Sequence, residues 1–207
     1  MAQDEQVLVV KRSALEQTGT FQGLAYDVDA RLKQLFAPGT PRFMPRPAAE
    51  TDPSFKQLIP YVLLSHQGRI LSYVRGKRAG ETRLVGSRSI GIGGHINPVD
   101  DMSLFGDFYD TYLNAVKREV EEEIHVNAAY QDRIIALIND DSNPVGSVHL
   151  GVVHLWTLDS DNIEKREQMI TQMAFMSLDE LAAVRDSMET WSQLCLDALI
   201  QQARDKS

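Results

Sequence analysis

The sequence predicts a mixed α/β sandwich, on three observations. Short apolar runs bounded by turn residues lie on both sides of one strongly periodic segment, residues 108–126. A second amphipathic segment closes the chain, at residues 189–203. The regular strand–helix alternation of a doubly wound parallel sheet is missing.

Gln6 to Lys11 (Q-V-L-V-V-K) reads as a short strand. Asp27 to Phe36 carries Val28, Leu32, Leu35 and Phe36 at helical spacing, and Pro38-Gly39 ends it. Five of the eight prolines fall between Pro38 and Pro53, which predicts an extended, irregular connection. Residues 1–55 therefore read as an N-terminal extension packed on the core, and residues 56–207 as the main domain. Leu58–Leu64 and Arg69–Val74, separated by Ser65-His66-Gln67-Gly68, predict a β-hairpin. Arg88–Ile92 is a further strand and runs into Gly93-Gly94. Phe108–Val126 is the strongest helix, with Leu113, Val116, Val120 and Ile124 on one stripe. Arg133–Ile138 and Ser147–Leu158 are β-rich, whereas Leu178–Val184 and Glu189–Ala203 read as helices.

The 207 residues support a buried core, and 29 acidic against 21 basic side chains give a formal charge of −8. That balance opposes a general DNA or RNA binder, so no nucleic-acid polymer is expected as a partner. No apolar run reaches the roughly 18–20 residues of a membrane span. The acidic start lacks the basic and apolar regions of a signal peptide, so the expected location is cytoplasmic. Cys195 is the only cysteine, which rules out intrachain disulfides and thiolate zinc clusters; its apolar helix face predicts burial.

The charge is uneven. Between Arg69 and Arg88 six basic side chains face Glu81 alone, a net of +5. Such a stretch is either a solvated loop or a subsite for an anionic ligand, and its neighbours decide which.

The informative residues are Arg118-Glu119-Val120-Glu121-Glu122-Glu123-Ile124-His125-Val126. With Glu119 at the origin of a helical wheel, Glu122 falls at about −60° and Glu123 at about 40°. Three carboxylates thus share a face, while Val116, Val120 and Ile124 form the apolar face beside it. Like charges at these spacings cost a few tenths of a kcal/mol per pair. A hard divalent cation reverses that cost, because carboxylates and water are the ligands Mg²⁺ and Mn²⁺ prefer. An ordinary solvated acidic face is the alternative reading of these residues alone.

Upstream, Gly91-Ile92-Gly93-Gly94-His95-Ile96 ends a strand in two glycines that admit close backbone approach. It is not a dinucleotide-binding G-x-G-x-x-G, since Ile96 holds the last position. A glycine pair, a loop and a helix bearing R-E-x-x-E-E resemble the Nudix box, G-x5-E-x7-R-E-U-x-E-E-x-G-U, with U an aliphatic residue. Gly94, Arg118, Glu119, Val120, Glu122, Glu123 and Val126 match it. Three departures stand out. The spacing from Gly94 to Arg118 is longer by about ten residues, the insertion falling near residues 102–112. Asp100 sits where the family has glutamate. His125 replaces a glycine, in a position expected to be left-handed.

The resemblance implies a Nudix-type α/β/α sandwich with a mixed sheet, in the α/β (α+β) class, preceded by the N-terminal extension. It also implies a Mg²⁺-dependent hydrolase, with Mn²⁺ as substitute, that cleaves a phosphoanhydride bond in a nucleoside diphosphate-X or related small phosphorylated metabolite by in-line attack of metal-activated water. Glu119, Glu122 and Glu123 would coordinate metal with the Gly93 carbonyl, and Arg118 would orient the glutamates. The general base is open between Glu122, Glu123 and the loop acids Asp140, Asp141 and Glu189. Arg75, Lys77, Arg78 and His95 are candidate substrate contacts. His149 and His154, five apart on one strand, face opposite sides and read as structural. Homodimers are common among members of the family. The rival readings are a non-catalytic ligand-sensing module on the same fold and an isoprenyl-diphosphate isomerase-like enzyme, which the position of the sole cysteine opposes.

Overall fold

The computed structural model describes residues 5–76, 86–101, 108–166 and 170–205. The chain is mixed α/β: strands β1 (Gln6–Lys11), β2 (Gly23–Ala25), β3 (Arg42–Pro45), β4 (Phe55–His66), β5 (Arg69–Arg75), β6 (Arg88–Ser89), β7 (Ile124–Val126), β8 (Tyr130–Asn139), β9 (His149–Leu158), β10 (Ile163–Lys165) and β11 (Ile170–Met176). The helices are α1 (Arg12–Glu16), α2 (Val28–Leu35), α3 (Arg46–Ala49), α4 (Phe108–Glu123), α5 (Leu178–Ala183) and α6 (Thr190–Arg204). Strands follow the hydrogen-bonded order β11-β5-β4-β9-β8-β2, with β1 on β4, β3 on β1 and β6 on β5. A separate antiparallel pair joins β10 to β7.

The residues divide into two compact units. The first comprises Met1–Tyr61, Gly93–Glu119 and Ile134–His154. Here β1 runs antiparallel to β4 (Val9↔Gln57) and to β3 (Val7↔Met44). Val7, Val9, Ala49 and Phe55 form one apolar cluster with Met44 against it. The segment expected to be irregular between Pro38 and Pro53 is instead a short strand and a one-turn helix. Its prolines are compatible with both, because Pro45 ends β3 and Pro47 lies in the first turn of α3, where no intrahelical N–H is needed.

The second unit comprises Val62–Ile92, Val120–Arg133 and Leu155–Ser207. The β4–β5 hairpin turns at Gln67 and Gly68, whose φ values of 48° and 75° are the signature of a two-residue primed turn. β11 pairs with β5 through an irregularity between Thr171 and Ala174, where Gln172 adopts φ 50°. The long helix ends at Glu123, three residues before the sequence pattern suggests. Ile124 to Val126 pair with β10 as a strand, so the expected left-handed conformation at His125 is corrected: its neighbour across the ladder, Glu164, holds it extended. Arg166 caps the helix end, donating from its backbone N to Glu123 O (3.0 Å) and from Nη1 to Glu121 O (2.7 Å).

Candidate active site

Helix α4 positions the acidic strip. Val116 and Val120 are buried, as is Ile124 just past its end, which fixes the apolar face and leaves the adjoining carboxylates at the surface. Glu119 and Glu123 are half-buried and Glu122 is exposed.

In the first unit the glycine pair meets this helix. A Cβ on Gly93 would overlap the backbone carbonyl of Pro60, and a Cβ on Gly94 would overlap the Glu119 carboxylate. Close packing thus requires glycine at position 93, against backbone, whereas a methyl group at position 94 would displace the Glu119 carboxylate. Arg118 binds four acceptors around them. Its Nε donates to Asp100 Oδ1 (2.6 Å), Nη2 to Asp100 Oδ2 (3.0 Å) and to His95 O (2.8 Å), and Nη1 to Glu119 Oε1 (2.8 Å). Asp100 is buried, and Asn97 N donates to its Oδ2 at 2.8 Å. The structure therefore brings Gly93, Gly94, His95, Asp100, Arg118 and Glu119 together.

His95 also packs beside His149, with ring centroids 5.7 Å apart. Burial pushes its imidazole down to about 3, with Arg46, His149 and Arg118 acting in the same direction, so the ring is neutral near pH 7. His149 turns Nδ1 to Val145 O at 2.7 Å, and His154 bonds Tyr112 within the core. Sequence spacing separated the two strand histidines as expected but carried no signal that His149 meets His95.

Asp140 and Asp141 are committed to structural partners, some of them far away in the sequence. Asp140 accepts from Gln22 Nε2 (2.8 Å), Ser142 Oγ (2.6 Å) and Asn143 Nδ2 (3.1 Å). Asp141 accepts from Arg12 Nη1 (2.9 Å) and from the wholly buried Lys56 Nζ (2.7 Å). Lys56 escaped notice because it precedes the predicted strand Leu58–Leu64, whereas β4 starts at Phe55 and is buried without alternation through Leu64.

In the second unit Arg75 Nε donates to Glu189 Oε2 (3.2 Å), and the guanidinium lies over the Tyr73 ring. Glu189 Oε1 accepts from Ser89 Oγ (2.6 Å), and Tyr73 Oη donates to Gly91 O (2.8 Å). Burial, with a contribution from Glu189, pushes the Tyr73 phenol and the Cys195 thiol up. Lys77 and Arg78 lie outside the described residues.

Glu119, Glu122 and Glu123 are donors of the type a hard divalent cation prefers, and the Glu119 carboxylate occupies the space a Gly94 side chain would fill. Among the described residues no three His, Cys, Asp or Glu side chains are drawn together closely enough to hold the ion as they stand.

No protein-family model matches the chain. Over 205 residues it is 36% identical to Protein YmaB of Bacillus subtilis (strain 168), spanning 95% of this chain and 98% of that protein. Among solved structures it resembles Tm1382, a candidate Nudix hydrolase, with a TM-score of 0.78, 28% identity, and coverage of 96% of this chain and 100% of that one. The chain belongs to the Nudix superfamily. The fold alone is shared with a bifunctional NMN adenylyltransferase/ADP ribose pyrophosphatase from Francisella tularensis, at TM-score 0.51 and 16% identity, over 71% of this chain and 42% of that one. Against the Nudix pattern, Asp100 supplies the acidic partner of Arg118 from a side chain one methylene shorter than the usual glutamate. Among the described residues no helix is long and apolar enough to cross a membrane.

Proposed function

We propose that this Nudix protein is a divalent-cation-dependent hydrolase, with Mg²⁺ as the working ion, that cleaves a phosphoanhydride bond in a nucleoside diphosphate-X or similar small phosphorylated metabolite. The observation that carries the reading is the Glu119 carboxylate, seated against Gly94 and braced by an arginine that Asp100 grips from behind. Glu119, Glu122, Glu123 and the Gly93 carbonyl would hold the ion. When bound, the ion neutralises phosphate oxygens and lowers the pKa of water.

The chain's own residues do the rest. Arg118 spends its guanidinium on Asp100, Glu119 and the His95 carbonyl, so it orients the acidic strip. Water attacks phosphorus in line, with Glu122 or Glu123 as the base favoured here. Asp140 and Asp141 are poor bases because each carboxylate already accepts several hydrogen bonds. Residues 56–207 form the hydrolase domain and residues 1–55 an extension that completes its first unit. The protein works in the cytoplasm, and a homodimer is consistent with the family.

A panel of nucleoside diphosphate-sugars, dinucleoside polyphosphates, NADH and nucleoside triphosphates, with and without Mg²⁺, tests the proposal. Glu122→Gln is expected to abolish turnover while the protein stays folded. Turnover surviving both that substitution and chelation overturns the reading.

A further inference from the structure

The proposed cation ligands Glu122 and Glu123 are the last two residues of α4. The final carbonyls of a helix have no partner within it, so its last turn frays unless something outside binds them. A left-handed glycine is a common stop, but His125 stands at the glycine position of the Nudix pattern and is extended in β7. Arg166 binds this end instead, from 45 residues beyond Glu121. Its backbone N donates to Glu123 O (3.0 Å) and its Nη1 to Glu121 O (2.7 Å). The β7–β10 ribbon delivers it: Ile163, Glu164 and Lys165 pair with Val126, His125 and Ile124, so Arg166 falls on the next rung, at Glu123. Asn127 N, bonded to Asn162 O at 2.9 Å, closes the other end of the ribbon. The Arg166 side chain is exposed, and the attraction of an exposed arginine for nearby acids adds little to stability. Its charge also opposes a second cation bound nearby. What it supplies to a cation site is therefore a fixed backbone.

We propose that Arg166 is a positioning residue for the cation ligands. By tying the Glu121 and Glu123 carbonyls it fixes the last turn of α4, and with it the backbone from which Glu122 and Glu123 project. Ligands of an ion tolerate displacements of only about 0.5 Å, so a frayed turn lowers affinity although no ligand is removed. This role rests on the hydrolase reading for its cation and deepens it. The arginine and its ribbon do at the helix end what a left-handed glycine would do there, and so let the chain carry His125.

The test is calorimetric titration of the full-length protein with Mn²⁺, without substrate, in wild type, Arg166→Gln, Arg166→Lys and Arg185→Gln. Arg185→Gln is the control, since it removes another arginine of the same unit, one bonded to Asp197 on α6 at 2.7 Å. Charge and position predict opposite signs for Arg166→Gln: losing a nearby cation tightens Mn²⁺ binding, whereas loosening the turn weakens it. The expected affinity is about tenfold weaker in Arg166→Gln, largely restored in Arg166→Lys, whose ammonium can bond the same carbonyl, and unchanged in Arg185→Gln. Amide hydrogen exchange is expected to quicken in Arg166→Gln at residues 122–124 and not earlier in α4. Unchanged or tighter Mn²⁺ binding in Arg166→Gln overturns the positioning role and leaves the hydrolase reading standing. Equal weakening in Arg185→Gln, or unchanged exchange in the last turn, overturns it as well. A wild-type protein that binds no Mn²⁺ overturns the divalent-cation reading, and the role of Arg166 falls with it.

Discussion

The Asp100 carboxylate grips Arg118 from two sides, Oδ1 on Nε at 2.6 Å and Oδ2 on Nη2 at 3.0 Å, and is itself buried. Arg118 extends its remaining terminal nitrogen to Glu119 at 2.8 Å. The arginine is thus a strut between the buried Asp100 and the Glu119 carboxylate. A planar guanidinium can serve both at once, whereas an ammonium cannot reproduce the fork.

Removing the fixed end should cost more than removing an exposed ion pair. Asp100→Asn keeps the shape but leaves a charged guanidinium facing a neutral amide, and an expected loss of about 2–3 kcal/mol follows. Urea denaturation measures it. Arg118→Lys is expected to fold but to lose turnover, since Glu119 then lacks its brace. A denaturation midpoint unchanged in Asp100→Asn would refute the strut.

The strut also shows what the sequence could and could not tell. Periodicity was enough for α4, because Val116, Val120 and Ile124 repeat on one face and are buried together. Strand β1 and the β4–β5 hairpin were legible for the same reason, local pattern agreeing with burial. The spacing placed Asp100 near the Nudix acid position but could not give it a partner, since Arg118 lies eighteen positions downstream. Strands β10 and β11 were missed: apart from the buried Ile170, Ile163–Lys165 and Ile170–Met176 are half-buried or exposed with no regular alternation, so their pairing with β7 and β5 leaves little pattern to read. The meeting of His95 with His149 and the burial of Lys56 depend on distant chain segments and leave no local trace.

The two adjacent glycines should respond differently to the same substitution. A methyl group at Gly93 meets the Pro60 carbonyl, which is backbone and cannot step aside; one at Gly94 meets the end of the Glu119 side chain, which can. Gly93→Ala is therefore expected to lose about 1–3 kcal/mol in stability. Gly94→Ala is expected to keep most of its stability but lose Mg²⁺ affinity, because its methyl displaces a carboxylate from the proposed metal position. Thermal denaturation and calorimetric Mg²⁺ titration separate the two. Equal stability losses with intact Mg²⁺ binding in Gly94→Ala would contradict this division.

Asp141 gives the first unit an acid limit. Burial alone would raise its pKa, but hydrogen bonds from Arg12, Lys56 and Asn139, aided by the Lys56 charge, hold the carboxyl well below the usual carboxylate range. A carboxyl depressed on folding contributes stability that is full above its unfolded pKa and declines as pH falls towards the folded value. The loss should therefore begin below about pH 4. Asp141→Asn is expected to be less stable at neutral pH and to have a flatter acid limb. Parallel acid limbs in the two proteins would show that the cluster does not set the limit.

Gln57 gives the opposite sign. It is wholly buried on β4 opposite Val9, and neither Nε2 nor Oε1 has a hydrogen-bond partner among the described residues. An unpaired buried polar atom costs about 1–3 kcal/mol, whereas an apolar group of the same shape carries no such penalty. Methionine is close to glutamine in length and flexibility and packs well into irregular cores. Gln57→Met is therefore expected to raise the melting temperature, an uncommon outcome for a core substitution. A lower melting temperature would mean that the amide is satisfied by an internal water whose bonds methionine cannot replace.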